Sequence, residues 1–292
     1  MKKKILAGIV TGAVVLGTLA GCGGGGTQGT APAAGTSTSG SSSSTESKGT
    51  ISVAATAVPH AEILEEAKKI LAEQGWDLEI TVFDDYVQPN MVVNDGDIDC
   101  NYFQHQPYLE QFNEENGTDL VSVGWIHYEP LGIYPGKSSD LSSIPDGVSI
   151  AVPNDTTNEA RALQLLEANG IIKLKEGAGL NATKIDVIAA ESHNAEIVEL
   201  DASQVSKHAE EVDFMVLNGN YALEAGLNAS TDALAYELSD SEAAATYVNV
   251  IVVKAGNEQN EGVKALVDVL NSEAIIGFIR DTYQGSVVYY EQ

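Results

Sequence analysis

Arginine is almost missing from this chain: Arg161 and Arg280 are the two in 292 residues. Lysine and arginine together number 15 against 42 acidic residues, a formal net charge of −27. Such a surface repels phosphate backbones, which excludes nucleic acid as a partner. Cysteine is as scarce, with Cys22 and Cys100 alone, so there is no disulfide framework. Signatures of catalysis are also lacking. No G-x-x-x-x-G-K-[ST] loop and no H-E-x-x-H helix occurs. Gly147-Val148-Ser149-Ile150-Ala151 misses the last glycine of a nucleophile elbow. Asp95-Gly96-Asp97-Ile98-Asp99 starts like a calcium loop, but Cys100 and Gln106 stand where Gly and Glu are required. The five histidines are scattered without metal spacing. The expectation is a non-enzyme, with no catalytic residue, metal or cofactor.

Long apolar runs are lacking as well, with one exception. Met1-Lys2-Lys3-Lys4 is followed by an apolar stretch from Ile5 to Ala20, then Gly21-Cys22. A basic start, a short apolar run and small residues make a secretory signal. The run is shorter than the roughly 20 residues a spanning helix needs. A cysteine directly after the small residues resembles the lipobox of bacterial lipoproteins. That resemblance implies cleavage before Cys22, diacylation of its thiol, and a protein held on the extracytoplasmic face of the cell membrane. Two acyl chains anchor stably where one is marginal. The signal would be residues 1–21, and loss of its lysines would make the mature chain more acidic still. Residues 22–50 carry the lipidated cysteine and a Gly/Ser/Thr/Ala linker, a random coil with an end-to-end distance of roughly 30 Å. Cys100, left without a partner, is expected to be buried as a small hydrophobe.

Beyond the linker, strand and helix patterns alternate. Ile51–Val58 reads as a buried strand. A helix starting at Pro59-His60 puts Ile63, Leu64, Ala67, Ile70 and Leu71 on one face, and Gly75 stops it. Strands are expected at Leu78–Phe83, Ile98–Tyr102, Leu120–Ile126, Val148–Val152, Val212–Leu217, Tyr247–Lys254 and Val287–Tyr290. Helices are expected at about Tyr86–Gly96, Gln104–Asn116, Thr156–Asn169, Asn220–Ala225, Asn260–Asn271 and Glu273–Tyr283. Alternation of this kind belongs to α/β folds with largely parallel sheets, and the length suits two lobes.

Two clusters stand where a strand passes into a helix, the place where α/β sheets bind ligands. In Val152-Pro153-Asn154-Asp155-Thr156-Thr157-Asn158-Glu159-Ala160-Arg161, Asn158 and Arg161 share a helix face. A guanidinium near a helix N-terminus suits a carboxylate; equally, Arg161 is a surface arginine paired with Glu159 or Glu167. In the second cluster, Tyr86 precedes Phe103, His105 and Tyr108. These rings either line an apolar slot with a polar tip or form an ordinary aromatic core patch.

The chain resembles the methionine-binding lipoproteins of ABC importers, the NlpA/MetQ family. The resemblance is carried by Pro59-His60-Ala61-Glu62-Ile63-Leu64, Asp85-Tyr86-Val87-Gln88-Pro89-Asn90, Tyr102-Phe103-Gln104-His105-Gln106-Pro107-Tyr108-Leu109, Glu129-Pro130-Leu131-Gly132, Val152-Pro153-Asn154-Asp155 and Tyr247-Val248-Asn249. It runs from about residue 51 to 285. It implies a two-lobed periplasmic-binding-protein fold with a hinge and an interlobe cleft. Lobe 1 would take 51–129 and a return segment at 246–292; lobe 2 would take 130–245. It implies that Arg161 grips the ligand α-carboxylate with Asn158 beside it, and that Asn218 and Asn249 hold the amino and carboxylate groups. Tyr86, Phe103, His105 and Tyr108 would receive the thioether chain. The implied ligand is methionine, most simply L-methionine, and the implied partners are an ABC permease and its ATPase, served by a monomer. The alternative on the same scaffold is a surface lipoprotein for another amino acid or a Met-containing peptide, or an adhesin. The chain departs from the family in having Cys100 for Ala, Thr156 for Pro, and Asn220 for Thr. None of these removes an implied ligand contact.

Overall fold

A computed structural model describes residues 46–239 and 241–291. The signal, Cys22 and most of the linker lie outside the described residues. The chain opens with β1 (Gly49–Ala55), α1 (Glu62–Glu73) and β2 (Trp76–Val82). Ile63, Leu64, Ala67 and Leu71 of α1 are buried as the helical period requires, and Ile70 is half-buried at the margin. Next come α2 (Gln88–Asp95), β3 (Cys100–His105), α3 (Gln106–Asn116) and β4 (Leu120–Tyr128). The second half of the fold takes β5 (Gly132–Pro135), β6 (Ser149–Pro153), α4 (Thr156–Ala168), β7 (Glu196–Leu200), α5 (Ala202–Val205), β8 (Phe214–Leu217), α6 (Gly219–Glu224), α7 (Ala229–Asp232), β9 (Ala235–Tyr236) and α8 (Glu242–Thr246). The chain then returns with β10 (Val248–Lys254), α9 (Glu261–Leu270), α10 (Glu273–Tyr283) and β11 (Val288–Tyr289).

Two sheets result. One has the order β11-β4-β10-β3-β1-β2 and the other β7-β6-β8-β5-β9. Each has its own apolar core. Ile51, Val53, Ile63, Leu64, Leu78 and Ile251 belong to the first; Ile133, Ile150, Leu163, Leu166, Phe214 and Val216 belong to the second. Full burial of such side chains contributes about 1.5–3 kcal/mol each. Cys100 lies wholly buried in the first core, and burial pushes its thiol up.

The sheets are mixed, which corrects the expectation of largely parallel ones. β1 runs parallel to β2 and β3, and β6 parallel to β7 and β8. β10 is antiparallel to both β3 and β4, and β5 to both β8 and β9. β10 is the strand that re-enters the first sheet after the whole of the second has been built. Helix–strand alternation does not encode the direction of such a return.

The boundary at β3 is shifted too. The strand continues to His105 and the helix starts at Gln106, because Pro107 suits the first helical turn and His105 caps it, its Nδ1 accepting Tyr108 N–H at 3.1 Å. The short strands β5, β7 and β9 are not among the expected elements; they are two to five residues long and too short for a legible period.

Candidate functional site

The β3-to-α3 junction places the ring wall of a small cavity. Phe103 and His105 both line it from the end of β3, where the pairing with β10 skips Phe103 and breaks the regular alternation. Tyr108, in the first turn of α3, turns back beside them. Tyr86 completes the wall, its ring 5.8 Å from Phe103 and 5.6 Å from Tyr108, with Tyr221 at 5.0 Å on its other side. Phe103 and Tyr108 also pack with Val93, Leu109 and Phe112. The rings are therefore both core patch and cavity lining.

The opposite wall comes from the β6-to-α4 and β8-to-α6 junctions. Asp155 caps α4, accepting both N–H (3.0 Å) and Nδ2–H (2.8 Å) of Asn158. That pins the Asn158 amide so that its Oδ1 accepts from His105 Nε2 at 3.0 Å and from Asn218 Nδ2 at 2.8 Å. Since His105 Nδ1 accepts the cap hydrogen bond, its proton is on Nε2. Burial, then the nearby Arg161 charge, lowers His105 to about 3, so the ring is neutral. Across the cavity, Tyr86 donates its hydroxyl to Asn220 Oδ1 at 2.5 Å and Tyr221 donates to Asp84 O at 3.0 Å. The two walls are thus already bonded to each other.

Arg161 is buried, not at the surface, and neither Glu159 nor Glu167 is its partner. Glu159 accepts Lys184 N–H and Glu167 accepts from Lys173. The partner is Glu237, just beyond β9. Arg161 Nε donates to Oε1 at 2.9 Å and Nη2 to Oε2 at 2.6 Å, while Nη2 also reaches Glu129 O at 2.9 Å. The guanidinium lies 4.2 Å from the Tyr247 ring centroid, within cation–π range. One edge of the fork is therefore occupied by Glu237, and the guanidinium also bears on the Tyr128 hydroxyl. Burial alone would raise the Glu237 carboxyl, but the Arg161 charge and its hydrogen bonds hold it below the ordinary value.

Asn249 is held abreast of His105 on β3 and His127 on β4 by the register of β10. Its Oδ1 accepts from His60 Nε2 at 3.1 Å. All eight residues expected at the site, Tyr86, Phe103, His105, Tyr108, Asn158, Arg161, Asn218 and Asn249, line this one cavity. Gln104, Glu129, Gly219 and Asn220 line it as well and escaped sequence reasoning as site residues. Glu129 had a signal, the Glu129-Pro130-Leu131-Gly132 motif that leaves the first sheet.

The scattered histidines are brought together in part. Donor atoms of His60, His127 and Glu129, all buried, lie within 4.8 Å of one another. These would be the ligands of a divalent ion. Their hydrogen bonds place protons where a metal would stand: Thr56 Oγ1 lies 2.7 Å from His60 Nδ1 and the Tyr102 hydroxyl meets His127 Nδ1. His127 Nε2 then donates to Glu129 Oε1 at 2.7 Å, while His60 Nε2, whose hydrogen goes to Asn249 Oδ1, lies 3.3 Å from the same carboxylate oxygen. Burial lowers His60 to about 4 and His127 to about 3, so both are neutral, and burial raises the Glu129 carboxyl.

Two buried atoms of the lining have no partner among the described residues, Asn218 Oδ1 and Asn220 Nδ2. An unmet buried acceptor or donor costs about 1–3 kcal/mol. One of each in the same cavity suits a small ligand with both N–H and oxygen groups.

Residues 51–290 match the NlpA lipoprotein family profile. The chain is 42% identical to the membrane lipoprotein TpN32 of Treponema pallidum, over 82% of this chain and 87% of that one. It is 38% identical to the methionine-binding lipoprotein MetQ of Bacillus subtilis, over 82% and 88%. A lipoprotein structure from Ruminococcus gnavus is 62% identical, with a TM-score of 0.81 over 83% of this chain and 99% of that one. A nutrient-binding protein from Burkholderia cenocepacia, solved bound to methionine, is 39% identical with a TM-score of 0.78 over 82% and 100%. Among the described residues no helix is long and apolar enough to cross a membrane. With its two-sheet α/β architecture and its match along nearly the whole folded body, this chain belongs to the NlpA lipoprotein family.

Proposed function

We propose that this protein is the substrate-binding lipoprotein of an ABC importer and that it captures methionine, in the first place L-methionine, without chemical change. The observation that carries this is the pairing of unmet amide groups with an aromatic wall in one cavity. The α-carboxylate would approach the Arg161 guanidinium, with Asn220 Nδ2 and Asn249 completing its hydrogen bonds. Asn218 Oδ1 would accept from the amine. A thioether against the edges of Tyr86, Phe103 and Tyr108 is a favourable soft contact. Asn158 serves by holding His105 and Asn218, its own oxygen being already taken.

On this reading residues 130–245 form the lobe that closes on lobe 1, hinging where the chain leaves at Glu129 and returns at Thr246. Closure of two lobes on a bridging ligand is a hinge motion. Cys22 would be the lipid anchor and the linker a tether, letting the monomeric body deliver its ligand to a membrane permease driven by a cytoplasmic ATPase. The test is mass spectrometry of small molecules released on denaturing the purified protein, followed by calorimetric titration with L- and D-methionine. Co-purified methionine, or binding at micromolar levels or tighter, is expected. Failure of both enantiomers to bind would move the specificity to another amino acid or to a Met-containing peptide.

A further inference from the structure

Glu129 stands at the cavity wall with its carboxylate held from behind. Oε1 accepts the Nε2 hydrogen of His127 at 2.7 Å with His60 Nε2 3.3 Å away, and the backbone N–H of Asn220 also bonds the carboxylate. Oε2 sits so close to Gly219 that a Cβ there would lie 2.9 Å from it and 2.7 Å from Glu129 Cβ. Glycine is needed for this approach. The imidazoles are fixed in turn by Thr56 and Tyr102 at their Nδ1 atoms. The groups involved come from the β1-to-α1 connection, β3, the end of β4 and the start of α6.

The ionic groups lining this cavity do not balance. Arg161 is matched by Glu237, both side chains less than a tenth exposed; His127 gives Glu129 a hydrogen bond but no charge, and neutral His60 beside it brings none either. Glu129 is left with no cation but Arg161, whose fork is already closed on Glu237, and a buried charge is costly unless it is paired. The missing partner has to come from the ligand, and a small ammonium group is the cation that fits beside Asn218 Oδ1, an unmet acceptor in the same lining.

We propose that His127, with His60 packed beside it, is a positioning residue that holds Glu129 as an anion at the cavity wall, and that Glu129 makes a free, protonated α-amino group a requirement of the ligand. This rests on the reading of the cavity as an amino-acid site. It narrows the substrate class: N-acylated amino acids and residues joined through their nitrogen in a peptide are excluded, because an amide nitrogen brings no charge to Glu129.

The test uses the full chain in detergent, stripped of ligand, with matched pairs in calorimetry: L-methionine against N-acetyl-L-methionine and against 4-(methylthio)butanoic acid, which lacks the amine. If methionine does not bind, the pair is made from whichever of the twenty amino acids a thermal-shift screen finds. Wild type is expected to favour the free amine by about 30-fold or more, the effect of leaving a buried charge unpaired. Glu129→Gln should shrink that preference to a few-fold. His127→Leu should shrink it by about tenfold, while His127→Gln, whose amide N–H can replace the lost donor, should retain it. Melting curves establish that each variant is folded. A Glu129→Gln protein that weakens all three ligands equally would overturn the proposal, as would one mole of zinc per mole of protein that is lost in His127→Leu. Discrimination on another amino acid, with no methionine binding, would sink the methionine reading and leave this one standing. Binding of no amino acid would sink both.

Discussion

On the side of the six-stranded sheet the cavity is walled mainly by rings, with Gln104, Glu129 and Asn249 beside them; on the side of the five-stranded sheet it is walled by amides and a guanidinium. The rings of Phe103 and Tyr108 are fixed by packing that continues behind them into Val93, Leu109 and Phe112. Dispersion contacts of that kind are many and individually small, so no one of them is decisive. The polar wall has no such depth. Asn158 is held by one carboxylate of Asp155, and it in turn holds His105 and Asn218. Arg161 is held by the single carboxylate of Glu237. The apolar wall is therefore redundant and the polar wall a chain of single links, so loss of one polar group should do more than loss of one ring contact.

The largest effect is expected at Arg161. Arg161→Ala leaves Glu237 as an uncompensated buried carboxylate, a loss of about 3–5 kcal/mol in stability, and binding should fall below detection. Urea unfolding and calorimetry on the same sample read both; a near-normal midpoint would show that the pair is weaker than its geometry implies. Next is Asn158→Ala, which strands the His105 Nε2 hydrogen and the Asn218 amide hydrogen. About 1–3 kcal/mol for each unmet donor is expected, with affinity falling though Asn158 need not touch the ligand. If affinity is unchanged, the walls hold without their link.

A third effect depends on pH. His105 protonates at about 3 in the folded chain and near 6.5 when unfolded. Between these values the unfolded state binds the extra proton, so this contribution is fully present above 6.5 and is lost as pH falls toward 3. His105→Gln should flatten the slope of stability between about pH 6 and pH 4 by about 1.4 kcal/mol per pH unit. Parallel slopes in the two proteins would mean that the folded ring titrates normally. The raised carboxyls of Glu129 and Asp155 act in the opposite sense, which is why the difference between proteins, not the absolute slope, is the readout. The smallest effect is expected at Tyr86→Phe. It keeps the ring and removes the hydroxyl bond to Asn220, a change of about 0.5–1.5 kcal/mol. A larger loss of affinity would make that cross-wall bond a latch and break the contrast between the walls.

How much of this was legible in the sequence differs between the same two regions. The ring wall could be read off, because Phe103, His105 and Tyr108 are close in the chain at a single strand-to-helix junction. The α4 wall was legible as far as Asn158 sharing a helix face with Arg161. The partner of Arg161 was not: Glu237 lies 76 residues away, beyond any local period, and both local glutamates were the wrong candidates. The histidine pair behind Glu129 was equally hidden, since His60 meets Asn249 across 189 positions and His127 meets it only through the register of β10.

By itself the sequence determined the alternation of helices and strands, the family, and the types of side chain offered at each strand-to-helix junction. These are local properties, set by periodicity, caps and turns within a few residues. Only the tertiary structure decided the direction of β10, the closing of the Arg161 fork on Glu237, and the gathering of two neutral imidazoles around a buried carboxylate. Each of those depends on which distant segments share a sheet, and burial then sets the charges: a histidine or carboxylate acquires its protonation state from neighbours that the linear order does not place beside it.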